Sequence, residues 1–373
     1  MTRPKPSPDL ILIRQRQPPI APHHHNVLES RSVALTDRDC RQIRTLTPGQ
    51  SASRAETHKK PLGLTRAFAI RIRPAPELAD RLVDVEINAE LVRRLIAEQF
   101  PEWSGLRITP VRQQGNDNRT FRVGDDLAVG PPSHESYSAG ITKEDRFLPL
   151  LGDHLTVGVP TPVATGRPTR EYPYPWSVRR WMIGDTPDRD PYLDRDRFAR
   201  DLGAFLRELR AVPADDGPVA GLHSFYRGCH PSVYGDQVQA ALRKFADHVD
   251  VAACKAIWLN AVRSVWSSPP VWVHGDVAVG NLLTAKGQLS AVIDFGTCAL
   301  GDPACDLVIA WTFLEGDERE ALRGAAGLPA DAWARARGWA LWKALITMTD
   351  ADSPQHQSQA NALAQLLGEP GGV

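Results

Sequence analysis

The segment from Val273 to Leu307, VHGDVAVGNLLTAKGQLSAVIDFGTCALGDPACDL, constrains the fold more tightly than any other part of this 373-residue chain. Trp272 and Val273 read as the end of a buried strand, and the polar His274, Asp276 and Asn281 follow in a loop. Leu282, Leu283 and Thr284 then alternate, Lys286-Gly287 is a turn signal, and Leu289 to Ile293 returns. This pattern predicts a hairpin. It carries Asp294 back toward Asn281, so that a carboxylate and a neutral amide oxygen, both hard ligands, share one Mg²⁺ beside a phosphate. Asp276 is placed to act as a base, and Gly296 lets the backbone approach closely. A base for a hydroxyl, two oxygen ligands and a glycine are the parts that phosphoryl transfer needs. The competing reading is an accidental H-x-D-x4-N at a strand end, and the D-F-G one hairpin later argues against it.

His274-x-Asp276-x4-Asn281 has the spacing of the kinase catalytic loop, and Asp294-Phe295-Gly296 reads as its metal-binding D-F-G. With Gly275 after the histidine and Gly301-Asp302-Pro303-x-x-Asp306 downstream, the chain resembles the aminoglycoside phosphotransferase family over about residues 85 to 350. The resemblance implies a two-lobed, protein-kinase-like α+β fold. A small, mostly antiparallel-sheet N-lobe is expected over 81–180 and a helical C-lobe, with the catalytic loop and the acceptor site, over 181–353. ATP is expected between the lobes, in preference to GTP, with Mg²⁺ on Asn281 and Asp294. Asp276, His274 and Asn281 form the expected catalytic set. Asp276 accepts or orients the proton of an acceptor hydroxyl, and His274 supports the loop by hydrogen bonding, because the carboxylate already fills the base role. Asp306 is expected only to orient that loop.

Further residues follow from the same resemblance. In the family a turn overlies the ATP phosphates, and Gly115, Asn118 and Arg119 match it, although an ordinary hairpin turn has the same composition. Lys143 to Pro149 resembles the family's N-lobe helix, with Glu144 in the ion-pairing position. Ser177 to Met182 resembles the strand and hinge between the lobes, where the backbone amides of Arg180, Trp181 and Met182 read the adenine edge. One departure stands out. Leu127-Ala128-Val129 resembles the strand that delivers a Lys or Arg to the phosphates, yet Gly130-Pro131-Pro132 follows. Losing one charge-assisted contact costs roughly 1.5–3 kcal/mol, about 10- to 150-fold. Arg119, Arg122 and Lys143 are the candidates for a substitute charge.

Composition excludes some classes of function. Lys+Arg 44 balances Asp+Glu 44, so no overall field recruits nucleic acid or an acidic membrane. The five cysteines are scattered without a C-x-x-C, which suits a reducing cytosol. No apolar run reaches the roughly 18–20 residues of a membrane span, and no signal-peptide core opens the chain; the expected location is cytoplasmic. Residues 1–80, with 14 Lys/Arg against 7 Asp/Glu, are expected to be a disordered basic extension, and 354–373 a flexible tail. From Gly301 onward 10 Asp/Glu face 5 Lys/Arg, which suits either an acidic wall for a cationic acceptor or a solvated helix surface.

Three functions follow: a kinase acting on a hydroxylated small molecule, a nucleotide-binding pseudokinase serving as an interaction module, and nucleic-acid binding by the basic arm. Gly130 favours the second. The third lacks a basic groove interleaved with aromatics, so neither nucleic acid nor membrane is an expected partner. Motif and fold do not choose the acceptor.

Overall fold

The computed structural model describes residues 85–112, 118–351, 353 and 355–368; the expectations for residues 1–80 and for Gly115 lie outside them. Asn88 begins helix α1 (Ala89–Gln99), its side chain accepting from the amides of Glu90 and Leu91 at 3.1 and 3.0 Å, which satisfies two amide donors left over at the helix start. Leu91, Val92, Leu95 and Ile96 form its buried face. That face lies on a five-stranded antiparallel sheet of β1 (Ile108–Pro110), β2 (Phe121–Val123), β3 (Leu127–Gly130), β4 (Pro162–Gly166) and β5 (Trp176–Arg180), in the order β1-β2-β3-β5-β4. β4, which carries Pro162, sits at the edge as a strand with a missing donor must.

Alternation sorts the two faces of the central strands. Leu127, Val129, Trp176 and Val178 enter the N-lobe core, so Ala128, Gly130, Ser177 and Arg179 take the opposite face. Pairing sets Ala128 against Arg179 and Gly130 against Ser177. Helix α2 (Glu135–Gly152) runs between β3 and β4. Its Phe147, Leu148 and Leu151 join the core of the larger lobe, with the Phe147 ring 5.1 Å from that of Trp272. The helix therefore ties the two lobes together, although in sequence it belongs to the first.

The C-lobe begins with α3 (Arg195–Ala211), capped by Asp194 on the Arg197 amide. Its apolar residues at i, i+4, i+7, i+8 and i+11, Phe198, Leu202, Phe205, Leu206 and Leu209, form one core-facing stripe and are all buried; each such side chain contributes about 1.5–3 kcal/mol. α4 (Gly235–Lys244) and α5 (Val251–Val262) follow as a pair of helices. Next come β6 (Val271–Val273), the hairpin β7 (Leu282–Ala285) and β8 (Gln288–Val292), and β9 (Ala299–Gly301), which pairs with β6. Helices α6 (Ile309–Thr312), α7 (Gly316–Ala326), α8 (Ala330–Met348) and α9 (His356–Gly368) complete the lobe. Where a fraying tail is expected, α9 packs on α8 with Ala362, Leu363 and Leu366 buried. No helix among the described residues is long and apolar enough to cross a membrane.

Candidate active site

The chain leaves β6 straight into the loop of His274, Asp276 and Asn281, and the side chains of Asp306 and His274 hold that loop in shape. Asp306, buried in the helical turn after β9, accepts from the amides of His274 (2.8 Å) and Gly275 (2.7 Å), the orienting role expected of it. Gly275 has φ +87°, and a Cβ there would stand 2.8 Å from the Thr297 carbonyl oxygen, so glycine is required on both counts. His274 is fully buried. Its Nδ1 accepts from the Asp276 amide at 3.2 Å, which leaves Nε2–H to donate to the Ile293 carbonyl at 3.0 Å. Both ring nitrogens are engaged within the protein.

Asp276 stands at the centre. Asn281 Nδ2 donates to its carbonyl (2.9 Å) and to Oδ2 (3.3 Å), and Lys343 Nζ on α8 lies 3.1 Å from Oδ1. Burial pushes the carboxyl up, but Lys343 and then Arg227 pull it down, and the net position is below the usual carboxylate range. Burial is the largest single influence, and it is outweighed only because the charge of Lys343, the charge of Arg227 and the Lys343 hydrogen bond act together. Lys343 was not legible as a site residue: it lies 67 positions from Asp276 in an apolar helical run.

The hairpin does what its spacing predicts. Leu282 pairs with Val292, and the Ile293 amide donates to the Asn281 carbonyl at 2.9 Å, which places Asp294 directly beyond Asn281. Asp294 is left-handed (φ 66°, ψ 67°), a region that aspartate tolerates better than most residues. The next amide, Phe295, donates to Glu144 Oε1 at 2.9 Å. With Asn281 Nδ2 turned to Asp276, its side-chain oxygen is the remaining donor beside Asp294. That pair of oxygens fits a divalent hard cation. Among the described residues no cluster of three His, Cys, Asp or Glu side chains could hold a metal.

On the nucleotide side the expectations need correction. A recess between α2 and the turn at Asp294 is lined by Asn118, Gly140, Glu144, Asp294 and Gly296. Arg119 is exposed, its amide bonded to the Pro131 carbonyl, and it does not line this recess. The amides of Arg180 and Trp181 already donate to Thr161 (2.9 Å) and Asp126 (2.8 Å), which leaves the Met182 amide alone of the three for an adenine edge. Glu144 forms its ion pair, but none of the three candidate cations is its partner. Arg122 lies over Trp181 and pairs with Asp125; Lys143 donates to His223. The partner is Arg179 of β5, with Nη2 at 3.0 Å from Glu144 Oε2 and Nη1 at 3.4 Å from Asp145. Arg179 and Glu144 are both buried. The cation missing from β3 thus stands on the neighbouring strand, on the same face as Gly130.

Several of the acidic residues after Gly301 are taken up in ion pairs. Asp302 and Asp331 pair with the fully buried Arg335, Glu318 with Arg195, and Glu320 with Arg323. The recess beside Asp276 is instead lined by Arg227, Trp339, Trp342 and Lys343.

Comparison with known proteins agrees with this arrangement. A model described as the phosphotransferase enzyme family (APH) matches residues 107–339. An aminoglycoside 3'-phosphotransferase of Escherichia coli is 28% identical over 193 residues, a match that spans 48% of this chain and 66% of that relative. Among solved structures, the GDP complex of aminoglycoside 2'-phosphotransferase-IIIa superposes with a TM-score of 0.56 at 20% identity, over 75% of this chain and 99% of that one. Macrolide 2'-phosphotransferase type I superposes with a TM-score of 0.50 at 21% identity, over 75% and 97%. These structures share the fold with this chain.

Proposed function

The chain belongs to the phosphotransferase enzyme family, and on that premise we propose that it moves the γ-phosphoryl group of ATP to a hydroxyl of a small molecule, with Asp276 as the base. The observation that carries this reading is Asp276 itself, ionised beside Lys343 and oriented by Asn281. Bound ATP with Mg²⁺ supplies the transferable phosphoryl group and the charge that screens it. Asn281 and Asp294 are the residues that would hold the metal. Asp276 receives the acceptor's proton while the acceptor oxygen bonds to the γ-phosphorus, and the bond to the bridging oxygen breaks with its electron pair leaving on ADP. No covalent enzyme intermediate is required.

The reading of a catalytically silent nucleotide-binding module rested on Gly130. Arg179 removes that support, because the ion pair with Glu144 is present with its cation drawn from β5. The free, buried Cys229, Cys254, Cys298 and Cys305 suit the reducing cytoplasm in which ATP is plentiful.

The test is Mg²⁺-dependent transfer of labelled γ-phosphate from ATP to a panel of hydroxylated compounds, with Asp276→Ala as control. Transfer that disappears in the control supports the reading. Equal labelling with both proteins would sink it.

A further inference from the structure

The recess at Asp276 has a charge that a polycationic acceptor would not choose. Apart from Asp276 its charged lining is Arg227 and Lys343, and Lys343 is already paired with Asp276 at 3.1 Å. Arg227 is not paired. No carboxylate among the described residues forms an ion pair with it, and its Nη1 is buried without a hydrogen-bond partner. Arg227 is half-buried, and a buried N–H group without an acceptor is costly to keep. It is retained in good geometry only where something supplies the missing acceptor.

The surroundings hold it in place. The guanidinium lies 4.3 Å over the Trp342 ring and 5.5 Å from that of Trp339. Tyr234 stacks on Trp342 at 4.2 Å and 17°, so Tyr234, Trp342 and Arg227 form one stack from three segments of the chain. Stacking engages the flat faces of a guanidinium and leaves its N–H edge for a ligand. The backbone before Arg227 is strained as well: Phe225 and Tyr226 are both left-handed, at φ 47° and 56°. Such residues cost on the order of 1–3 kcal/mol each and persist when the surroundings over-determine them. Here the Tyr234 hydroxyl donates to the Phe225 carbonyl at 2.6 Å, and Ser224 Oγ donates to the Arg227 carbonyl at 3.0 Å.

We infer that Arg227 is an anchor for an oxyanion on the acceptor, so that the compound phosphorylated at Asp276 is a hydroxylated carboxylate or phosphate ester and not a polyamine. The inference rests on the kinase reading for the hydroxyl's fate, but the anion site itself does not. A carboxylate or phosphate oxygen takes the N–H groups of Arg227 that nothing in the protein accepts. Its charge balances the excess cation of the recess and brings a hydroxyl of the same molecule to Asp276.

The experiment uses D-gluconate and glycerol 3-phosphate as probes for the two kinds of oxyanion, with glucose, glycerol and kanamycin as neutral and cationic counterparts. Binding is measured by calorimetry on the full chain loaded with ADP and Mg²⁺, so that the nucleotide site is filled, and transfer is measured separately with ATP. At least one anion is expected to bind and to serve as acceptor, at a kcat/KM about 10-fold or more above its neutral counterpart. Which of the two prevails identifies the oxyanion. In Arg227→Gln, assayed near pH 8, the Kd and KM for that anion rise about 10- to 100-fold, the loss of one charge-assisted contact, while the Kd for ADP stays close to wild type. Arg227→Lys recovers part of the affinity, which a merely structural role would not.

Failure of both anions to bind overturns the inference even if ATP is turned over. So does tighter binding of kanamycin, or an Arg227→Gln defect equal for every acceptor. Anion binding that depends on Arg227, without any transfer, would leave the anchor standing and remove the kinase reading instead.

Discussion

Asp276, Asn281, Asp294 and Asp306 come from one continuous stretch and meet through its own turns and hairpin, whereas Glu144 and Arg179 lie 35 residues apart on a helix and a strand. Both regions serve the same cleft. In the first, spacing in the sequence is spacing in space, because a hairpin register and an aspartate clamp on two amides convert one into the other. In the second, the requirement is only that a cation reach Glu144. Two antiparallel strands side by side offer it from either one, since Ala128 and Gly130 of β3 share a face with Arg179 and Ser177 of β5. A motif is rigid where its residues are bonded to one another, and loose where they merely converge.

That contrast is open to attack by mutation. The largest effect is expected for Asp276→Asn, which keeps the shape of the loop and removes the base: kcat falls by about 10²–10⁴ with the melting temperature near wild type. Retention of activity would show that the continuous stretch is scaffold and not chemistry.

Arg179→Met comes next. It strands Glu144 in the interior, and loss of one partner of a buried pair costs about 3–5 kcal/mol, readable in a urea melt, with kcat/KM for ATP down about 10- to 100-fold. Adding Gly130→Lys sharpens the test, because it restores a cation on the same face from β3. A Cβ at Gly130 meets Ser177 Oγ at 3.3 Å, so a small shift is needed. Recovery would establish that the two strands are interchangeable sources. No recovery, with the fold intact, would mean that the position of Arg179 matters and not only its charge.

Lys343→Met acts on pH. Lys343 and Arg227 hold the Asp276 carboxyl below its usual range against burial. Without Lys343 the pKa rises, so protonation sets in at higher pH and the acid limb of kcat/KM moves upward. Near pH 8 the carboxylate is ionised in both proteins, and the remaining difference is modest. An unmoved acid limb would mean that another group sets it. The smallest change is expected for Arg180→Ala, whose side chain is exposed and whose amide is held by Thr161; the KM for ATP should stay within about twofold.

Much of this protein was legible before its structure. His274-x-Asp276-x4-Asn281 and Asp294-Phe295-Gly296 named the catalytic loop and its hairpin, and the five-residue stripe on α3 named the floor beneath them. These features are local, and periodicity and turn chemistry report on local structure. The misses are of another kind. Arg180 and Trp181 were assigned by position in a hinge, but neighbouring carbonyls had already taken their amides. The excess of acidic residues after Gly301 suited either an acidic wall or a solvated surface, and pairing with Arg335, Arg195 and Arg323 takes several of those charges away from a wall. A polar tail hid the apolar face of α9.

The sequence by itself determined the two-lobed fold and the segment that carries the groups proposed for chemistry at Asp276, because a reaction that needs a base and two oxygens beside one phosphate leaves a compact pattern in one segment. Only the tertiary structure decided which cation completes the ion pair and what surrounds the acceptor. Arg179, Arg227, Trp342 and Lys343 come from a sheet strand, a strained loop and a helix. Their meeting depends on how the lobes pack, and charge that converges from distant elements has no signature along the chain.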